Sequence, residues 1–463
     1  MNYSILNVII NTCSKVDNSF KQKLFNKWCK SYVSDDRAFL NYISSGSRCF
    51  HSSYTSSEAQ KDGVEVLLSP QEVTAILRKN EFNKDFVYGS VKSYDSNQLP
   101  SNNPIEDTRC EAHCKMTPGF LMGVFDGHGG PACAQSEIVQ DLKHIYDESF
   151  NYYLKNLSEN TNNVVDIQSS LEKGILQLDS DLSREVVDIF KSNGVVNPKT
   201  LSVALSGAVV CLSYIDGPHL YVANVGDCNA VLGTMTDENE WIAKKITKEH
   251  NTENFDELKR IWNEHPDEER KTVIRRDRLL GELAPLRSMG DYRYKWKSDV
   301  LSQVVVPLIG QKAIPANYYT PPYLTARPDI FYHRLTPKDK FLIIASDGLW
   351  DMMTPIQAVK LIGEHMKGKV FFNPLKLPKK NIQLGDINDL LLHRKESLKI
   401  KPKDRNAATH LIRHAIGGTE YGVDHSRLAH LLSLSPDVSR MFRDDMTVTI
   451  IYFDSEFLRQ CPA

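Results

Sequence analysis

The sequence predicts an α+β protein in which antiparallel β-structure is layered against helices. Apolar runs of strand length follow one another over residues 205–235, and Asp216-Gly217 and Gly226-Asp227 separate them. Asp-Gly between apolar runs is a strong hairpin signal, so we expect an antiparallel meander. Segments with helical periodicity precede and follow this block instead of alternating with its strands. Strands and helices segregated in this way favour a layered α+β sandwich over a crossover fold of the Rossmann type.

The other elements follow from periodicity and end signals. A helix is predicted after Ser69, because serine caps helix N-termini well and Pro70 suits the first helical position. Further strands are predicted within 339–351 and 444–454, where apolar runs are flanked by acids. Helical periodicity also covers residues 133–157, 167–190, 252–265, 354–367 and 406–418.

Composition and charge exclude several classes of protein. The chain has 463 residues, of which 41% are hydrophobic and 25% charged, as in ordinary globular proteins. Its formal net charge of −2 creates no overall field for nucleic acid or an anionic membrane. The 9 cysteines include no Cys-x-x-Cys pair, which indicates a reducing compartment. No apolar run approaches the ~18 residues of a transmembrane helix.

The first 57 residues differ in composition from the rest. They are rich in lysine and then in serine, which is typical of a mitochondrial transit peptide followed by a disordered leader. Scattered aspartates interrupt the pattern, and a disordered tail is the alternative interpretation. A folded domain is predicted over 64–458, with insertions near 250–319 and 368–405.

A recurring sequence pattern places acidic residues at the ends of apolar strands. Asp126, Asp227 and Asp347 each end such a run, and Asp444 and Asp445 begin another. A carboxylate beside a buried strand is costly unless it is paired or binds a cation, and clustered carboxylates raise one another's pKa. Any one of these acids is most simply a turn residue. Together they favour a site for a hard cation such as Mg²⁺ or Mn²⁺, which prefers oxygen ligands.

Gly127 and His128, the next two residues after Asp126, also suit a metal site. Gly127 permits close backbone approach, so its carbonyl could join the same metal site. We expect the side chain of His128 to point toward the same site. An imidazole that titrates near neutral pH can protonate a leaving group. A turn histidine on the surface is the alternative.

The motifs "PIED", "GVFDGHGG", "VANVGDCNAVL", "LRSMGD", "FLIIASDGLWD" and "RDDMTVTII", in that order, resemble the PPM family of metal-dependent serine/threonine protein phosphatases. They extend over residues 104–451, nearly the whole predicted domain. The resemblance implies a four-layer αββα sandwich with a binuclear metal centre at one edge, holding two Mg²⁺ or Mn²⁺ ions.

The resemblance also implies the metal ligands. By position, Asp126 bridges the two ions and Gly127 binds one of them through its carbonyl oxygen. Asp347 and Asp444 complete the shell of the other ion.

Further roles are implied for the remaining motif residues. Glu106 and Asp107 match an acidic pair that holds metal-bound waters, and Asp227 and Asp291 match a weaker third metal site. The family's chemistry is in-line attack of an activated water on phosphorus, with His128 protonating the departing serine oxygen. The expected catalytic residues are therefore His128, Asp126 and Asp107.

The chain departs from the family pattern at one position that matters. Many relatives carry an arginine that grips the phosphate where this chain has Asn102. The amide of Asn102 cannot bind phosphate through two charged hydrogen bonds as a guanidinium group does. The substrate phosphate must therefore be bound by the metals or by another cation. Arg109 is one candidate.

Further segments, among them "DRLLGELAPLRSMGDYRYKW", resemble the branch of the family that acts on the mitochondrial pyruvate dehydrogenase complex. This implies that the substrate is the phosphorylated decarboxylase component, which dephosphorylation reactivates, and that the location is the mitochondrial matrix. It also implies docking on the lipoyl domain of the acyltransferase component, assisted by calcium, and a regulatory subunit. The alternatives are a phosphatase for another mitochondrial phosphoprotein and a catalytically dead scaffold. We expect no nucleic-acid partner.

Other patterns favour structural roles. Residues 363–370 nearly match a phosphate-binding P-loop but lack the Ser or Thr after the lysine. His410 and His414 have the i, i+4 spacing of zinc ligands, yet Leu411 stands where a zinc protease has glutamate, so a packed helix is favoured. The lysine-rich segment 368–405 is most simply a solvated loop, and docking to an acidic partner is the functional alternative.

Overall fold

The structure is a computed structural model that describes residues 68–113, 119–136, 167–191, 198–372, 375, 384–398 and 401–462. The leader predicted over 1–57, the domain start at 64 and most of the helix predicted over 133–157 lie outside these residues. Within the described ranges, no helix is both long and apolar enough to cross a membrane.

Groups of strands and groups of helices follow one another along the chain. The strands are β1 (Phe82–Asp85), β2 (Val91–Leu99), β3 (Thr108–His113), β4 (Phe120–His128), β5 (Gly207–Asp216), β6 (His219–Val225), β7 (Asn229–Met235), β8 (Trp241–Lys245), β9 (Ile274–Arg275), β10 (Arg278–Leu279), β11 (Met289–Gly290), β12 (Asp329–Arg334), β13 (Asp339–Ala345), β14 (Gly418–Thr419), β15 (Gly422–Val423) and β16 (Met446–Phe453). The main helices are α1 (Pro70–Arg78), α2 (Ile167–Lys191), α3 (Pro198–Leu205), α4 (Phe255–Glu264), α5 (Asp347–Trp350), α6 (Pro355–Met366), α7 (Leu384–Ser397), α8 (Ala407–Gly417), α9 (His425–Ser433) and α10 (Ser455–Gln460). Shorter helical turns occupy 267–273, 292–294, 298–309, 311–313 and 436–439.

Two antiparallel 6-stranded sheets form the centre of the protein. The first sheet has the strand order β1-β2-β16-β13-β7-β8. The second has the order β12-β6-β5-β4-β3, and the short β11 also pairs with β5. The pairs β9–β10 and β14–β15 are separate small hairpins.

Alternate residues of the central strands enter different apolar layers, as the pleat of a strand requires. In β13, Leu342 and Ile344 enter the layer between the two sheets, whereas Phe341, Ile343 and Ala345 face helices. All of them are buried, and full burial of a large apolar side chain stabilises the fold by about 1.5–3 kcal/mol. Burial on both faces explains why this strand is an unbroken apolar run in the sequence.

Helices cover the outer face of each sheet. Helices α1, α6, α8 and α9 pack on the first sheet through buried residues such as Val73, Ile362, Leu411 and Leu428. Helix α2 packs on the second sheet through residues at helical spacing that include Leu171. The resulting order of helix, sheet, sheet and helix confirms the predicted α+β class and the four-layer αββα sandwich.

The predicted meander is half right. Strands β5 and β6 pair as a hairpin across Asp216-Gly217, as expected. The prediction that β7 continues the same sheet is wrong, because β7 pairs with β13 in the first sheet and β12 occupies the other edge of β6. The chain therefore crosses between the sheets at Gly226-Asp227. Gly226 has φ 99°, and a Cβ atom there would collide with Val209, so the crossing requires glycine.

The segment predicted as an insertion near 250–319 contributes to the core of the second sheet. Ile261, Tyr292, Trp296 and Leu301 are buried in the same apolar cluster as the β5 residue Leu212. The segment is thus packed into the domain and is not a surface addition. Of the other predicted insertion, helix α7 is the largest part that the structure describes.

Candidate active site

One cavity, of about 460 Å³, takes its walls from both sheets, and six acids are among the residues that line it. All but one of the site residues predicted from the sequence line it: Glu106, Asp126, Gly127, His128, Asp227, Asp291, Asp347 and Asp444. The exception is Asp107, which is only 2% exposed and does not line the cavity.

Strand β4 delivers three consecutive residues to the cavity. Its pairing with β5 places Asp126 opposite Val209 and His128 opposite Gly207, so the strand continues to His128 and does not end at the acid. Gly127 lies against the backbone of Glu106, and any Cβ atom at this position would collide with the Glu106 carbonyl oxygen. The glycine therefore lets Glu106 and Asp126 share one wall.

The imidazole of His128 is paired with Asp291. Strand β11 pairs Gly290 with Gly207, and because His128 also lies opposite Gly207, the two side chains meet there. The His128 Nε2 to Asp291 Oδ2 distance is 2.5 Å, and the Ser288 hydroxyl donates to the same oxygen at 2.6 Å. Burial lowers the pKa of His128, but Asp291, together with the charges of Asp227 and Glu106, outweighs burial, so the pKa is raised.

Asp347 and Asp444 come from neighbouring strands of the first sheet. Helix α5 begins at Asp347, directly after β13, and Asp444 lies just before β16, which pairs with β13. Gly348 makes this approach possible, because a Cβ atom there would collide with the carbonyl oxygen of Asp445. Asp227 arrives by the crossover between β6 and β7, so the connection that breaks the meander is also the one that brings this acid to the cavity.

Asp107 lies in a buried hydrogen-bonded chain. The Ser346 hydroxyl donates to Asp107 Oδ2 at 2.8 Å, and the Thr447 N–H donates to Ser346 Oγ at 3.0 Å. Burial, followed by the charge of Asp445, raises the pKa of Asp107 to about 8. Asp107 thus stands beside the acids of the cavity without facing it.

Asp445, which the sequence grouped with the acids of a cation site, is buried and does not line the cavity. Its carboxylate accepts hydrogen bonds from the backbone N–H groups of Ser101 (2.5 Å), Asn102 (2.9 Å) and Glu106 (2.8 Å). The Asn102 side-chain amide also donates to it at 3.0 Å. Asp445 therefore fixes the loop that carries Glu106. The doubled aspartate of the "RDD" motif was the only sign of it in the sequence.

The electrostatics of the cavity fit divalent cations. Burial is the largest cause that raises the pKa of Asp126 well above its usual range, and the charges of Asp107, Asp347, Asp444 and Asp227 add to it. Cations among these acids would relieve that repulsion. No three His, Cys, Asp or Glu side chains in the described ranges close up enough to hold a metal by themselves. Mg²⁺ usually keeps several waters and binds through one or two carboxylates, so a looser ring of acids suits it.

Arginines complete the cavity wall, but the suggested Arg109 is not among them, and that suggestion is wrong. Arg109 lies on β3, where its Nε is 3.3 Å from Glu111 Oε1 and its Nη2 donates to the Asn80 carbonyl. The arginines that do line the cavity are Arg278, Arg293 and Arg440.

Comparisons with known proteins agree with this geometry. A family model described as protein phosphatase 2C matches residues 102–385. The chain is 38% identical to "[Pyruvate dehydrogenase [acetyl-transferring]]-phosphatase 1, mitochondrial" of Bos taurus, covering 84% of this chain and 83% of that protein. It is 37% identical to phosphatase 2 of the same name from Homo sapiens, covering 90% and 89%. It is 30% identical to the Saccharomyces cerevisiae phosphatase 1, covering 86% and 75%.

Proposed function

This chain belongs to the protein phosphatase 2C family of metal-dependent protein serine/threonine phosphatases, and on that premise we propose that it dephosphorylates the pyruvate dehydrogenase complex in mitochondria. The specific substrate is the phosphoserine of the decarboxylase component, whose dephosphorylation reactivates that component. The names of the similar proteins support the substrate and the organelle. The single structural observation that carries the chemistry is the convergence of Asp126, Asp347 and Asp444, from two sheets, on one cavity.

Two Mg²⁺ or Mn²⁺ ions are the cations that this acidic cavity would hold. Asp126 would hold both ions, the Gly127 carbonyl would hold one of them, and Asp347 and Asp444 would hold the other. Glu106 and Asp107 would hold bound waters, and Asp227 with Asp291 would form a weaker third site. When bound, such ions supply an acidified water and neutralise charge on the phosphoryl oxygens.

The protein's own acid is His128. The Asp291 carboxylate at Nε2 favours the protonated imidazole and fixes its ring on the cavity wall. From there His128 passes a proton to the departing serine oxygen. Positioned proton transfer of this kind contributes roughly 10²–10⁴-fold to the rate.

Arg440 binds the substrate phosphate in place of the arginine that many relatives carry at the position of Asn102. The Asn102 amide is occupied by Asp445. Arg293 is held by Glu282 at 2.6 Å, and Arg278 donates to the Glu282 carbonyl at 2.8 Å. By contrast, Arg440 is exposed on the cavity wall, and its side chain makes no hydrogen bond or ion pair with any residue that the structure describes.

The cellular setting extends the same proposal. Residues 1–57 would act as a transit peptide and leader that bring the domain over 64–458 to the matrix. There the enzyme would dock on the lipoyl domain of the acyltransferase component, assisted by calcium, and associate with a regulatory subunit. The word "mitochondrial" in the names of the similar proteins supports this location.

The test is release of phosphate from the phosphorylated decarboxylase component in the presence of Mg²⁺ or Mn²⁺. The Asp126→Asn variant is the control, because it keeps the shape of the side chain and removes the charge. Activity on this substrate above the variant supports the proposal. Activity on other phosphoproteins alone would indicate a different mitochondrial substrate, and activity on none would indicate a scaffold.

A further inference from the structure

A second cavity, of about 310 Å³, lies among the helices that cover the first sheet. Its walls are formed by the start of α1, by α8 and α9, by the β14–β15 hairpin and by residues 401–404. It shares no lining residue with the acidic cavity. Its volume suits a small metabolite and not a macromolecule.

The charges around this second cavity are predominantly positive. Asp404, the one acid among the described residues that line it, is already neutralised by Arg413, with Nε to Oδ2 at 2.6 Å and Nη2 to Oδ1 at 2.7 Å. Lys401 and Lys403 are exposed at the rim, and neither side chain has an ion-pair partner in the described part of the chain. Arg413 Nη1 likewise makes no hydrogen bond within the described ranges.

A buried histidine on α8 adds a polar group that has no partner in the described part of the chain. His410 is 2% exposed and lines the cavity, and its Nε2 has no hydrogen-bond partner among the described residues. Its ring packs between His365 and His414, with ring centroids 4.7 and 4.4 Å away. A buried polar group left unpaired costs about 1–3 kcal/mol. Burial lowers the pKa of His414 to about 4 against the opposing charge of Asp404, and Arg413 and His365 add smaller contributions.

We propose that this cavity is a binding site for a small multivalent anion, a phosphate ester or a polycarboxylate. Lys401 and Lys403 supply the charge, and His414 and the Nη1 group of Arg413 supply hydrogen-bond donors at the inner wall. A metal ion is a poorer occupant, because the lysines repel cations and the Asp404 carboxylate is already paired with Arg413. Closely spaced negative oxygens would instead neutralise the rim and meet the inner donors.

The experiment is calorimetric titration of the full chain with pyrophosphate and, separately, with citrate. EDTA is present throughout, so that the acidic cavity holds no cation to attract either anion. The double variant Lys401→Ala/Lys403→Ala is compared with Lys271→Ala/Lys297→Ala, which removes the same charge from exposed positions elsewhere. Arg440→Ala reports binding in the acidic cavity.

The site is supported if either anion binds about tenfold or more weakly to the Lys401→Ala/Lys403→Ala variant but not to the other variants. A tenfold loss of affinity is about the size expected for one charge-assisted hydrogen bond. Preference between the two anions identifies the class of ligand. The proposal is overturned if neither anion binds, if Arg440→Ala removes the binding, or if the Lys271→Ala/Lys297→Ala variant weakens it equally. His414→Gln, with its fold checked by thermal unfolding, should weaken binding independently of the lysines.

Discussion

His128 Nε2 lies 2.5 Å from Asp291 Oδ2, although 163 positions separate the two residues along the chain. Gly207 makes the contact possible, because a Cβ atom there would collide with both side chains. The pair therefore depends on three strands, β4, β5 and β11, being in register. It gives the proposed acid of the reaction a fixed orientation and a charged partner.

The first prediction concerns this pair. His128→Ala should lower kcat by roughly 10²–10⁴-fold on a phosphoserine substrate, the range typical of general acid catalysis. Because p-nitrophenyl phosphate has a good leaving group that needs little protonation, the loss on it should be much smaller. Phosphate release and nitrophenolate absorbance measure the two rates.

The same pair predicts non-additive effects. Asp291→Asn should lower kcat less than His128→Ala, and the double variant should be no slower than His128→Ala alone, since residues that act as a unit do not add. Fully additive losses would show that Asp291 acts independently of His128, for instance only through a metal.

The second prediction concerns Arg440. Arg440→Ala should raise KM for the phosphoprotein about tenfold or more, because a charge-assisted contact contributes about 1.5–3 kcal/mol. Arg440→Lys should recover part of the loss, since lysine keeps the charge but not the fork. Steady-state kinetics measure both. Arg109→Ala is the matched control, and an increase in KM for that variant with no effect of Arg440→Ala would reverse the assignment.

A third prediction concerns Asp445 and stability. Asp445→Ala removes the acceptor of the Ser101, Asn102 and Glu106 N–H groups. The free energy of unfolding should fall by about 2–5 kcal/mol, since loss of a buried charged acceptor leaves donors unpaired. Urea unfolding in EDTA measures this without a contribution from bound metal. A change below about 0.5 kcal/mol, the usual size at an ordinary surface position, would contradict the role assigned to Asp445.

A fourth prediction concerns pH. His414 has a pKa of about 4 in the folded chain, below the ordinary histidine value of 6.5, chiefly through burial. Between these values the unfolded chain binds a proton that the folded chain does not, so stability is full above pH 6.5 and is lost as the pH falls toward 4. In His414→Gln, the drop in unfolding free energy from pH 7 to pH 5 should be smaller than in the parent chain by about 1–2 kcal/mol. An identical drop in both proteins would show that His414 is not held neutral.

Sequence reasoning succeeded where a local pattern decides the structure. Strand β13 is an unbroken apolar run because both of its faces are buried. The sequence therefore predicted the strand and the acid Asp347 that follows it. Ser69 and Pro70 likewise made the start of α1 predictable, and the structure adds a capping box between Ser69 and Glu72. Asp126, Asp227, Asp347 and Asp444 stand at or beside apolar strands, whereas Glu106, Asp107 and Asp291 came from the family resemblance.

The sequence did not predict features that depend on residues far away along the chain. Strand β2 was missed because it is polar, and the cost of burying its Asn97 is offset by hydrogen bonds to the Leu77 carbonyl and to Thr409. The crossover after β6 depends on which strand edges are free, and no local pattern reports that. The choice of Arg440 over Arg109 depends on which arginine already has a partner, and only the folded chain shows this.

The central claim is that Asp126 and the neighbouring acids hold two divalent cations that the reaction requires. Calorimetric titration of Mn²⁺ into the parent chain and into Asp126→Asn, with phosphate release measured on the same samples, tests it most directly. We expect two bound Mn²⁺ ions and turnover in the parent chain, and weakened Mn²⁺ binding with no turnover in the variant. Equal Mn²⁺ binding and equal turnover in both proteins would contradict it.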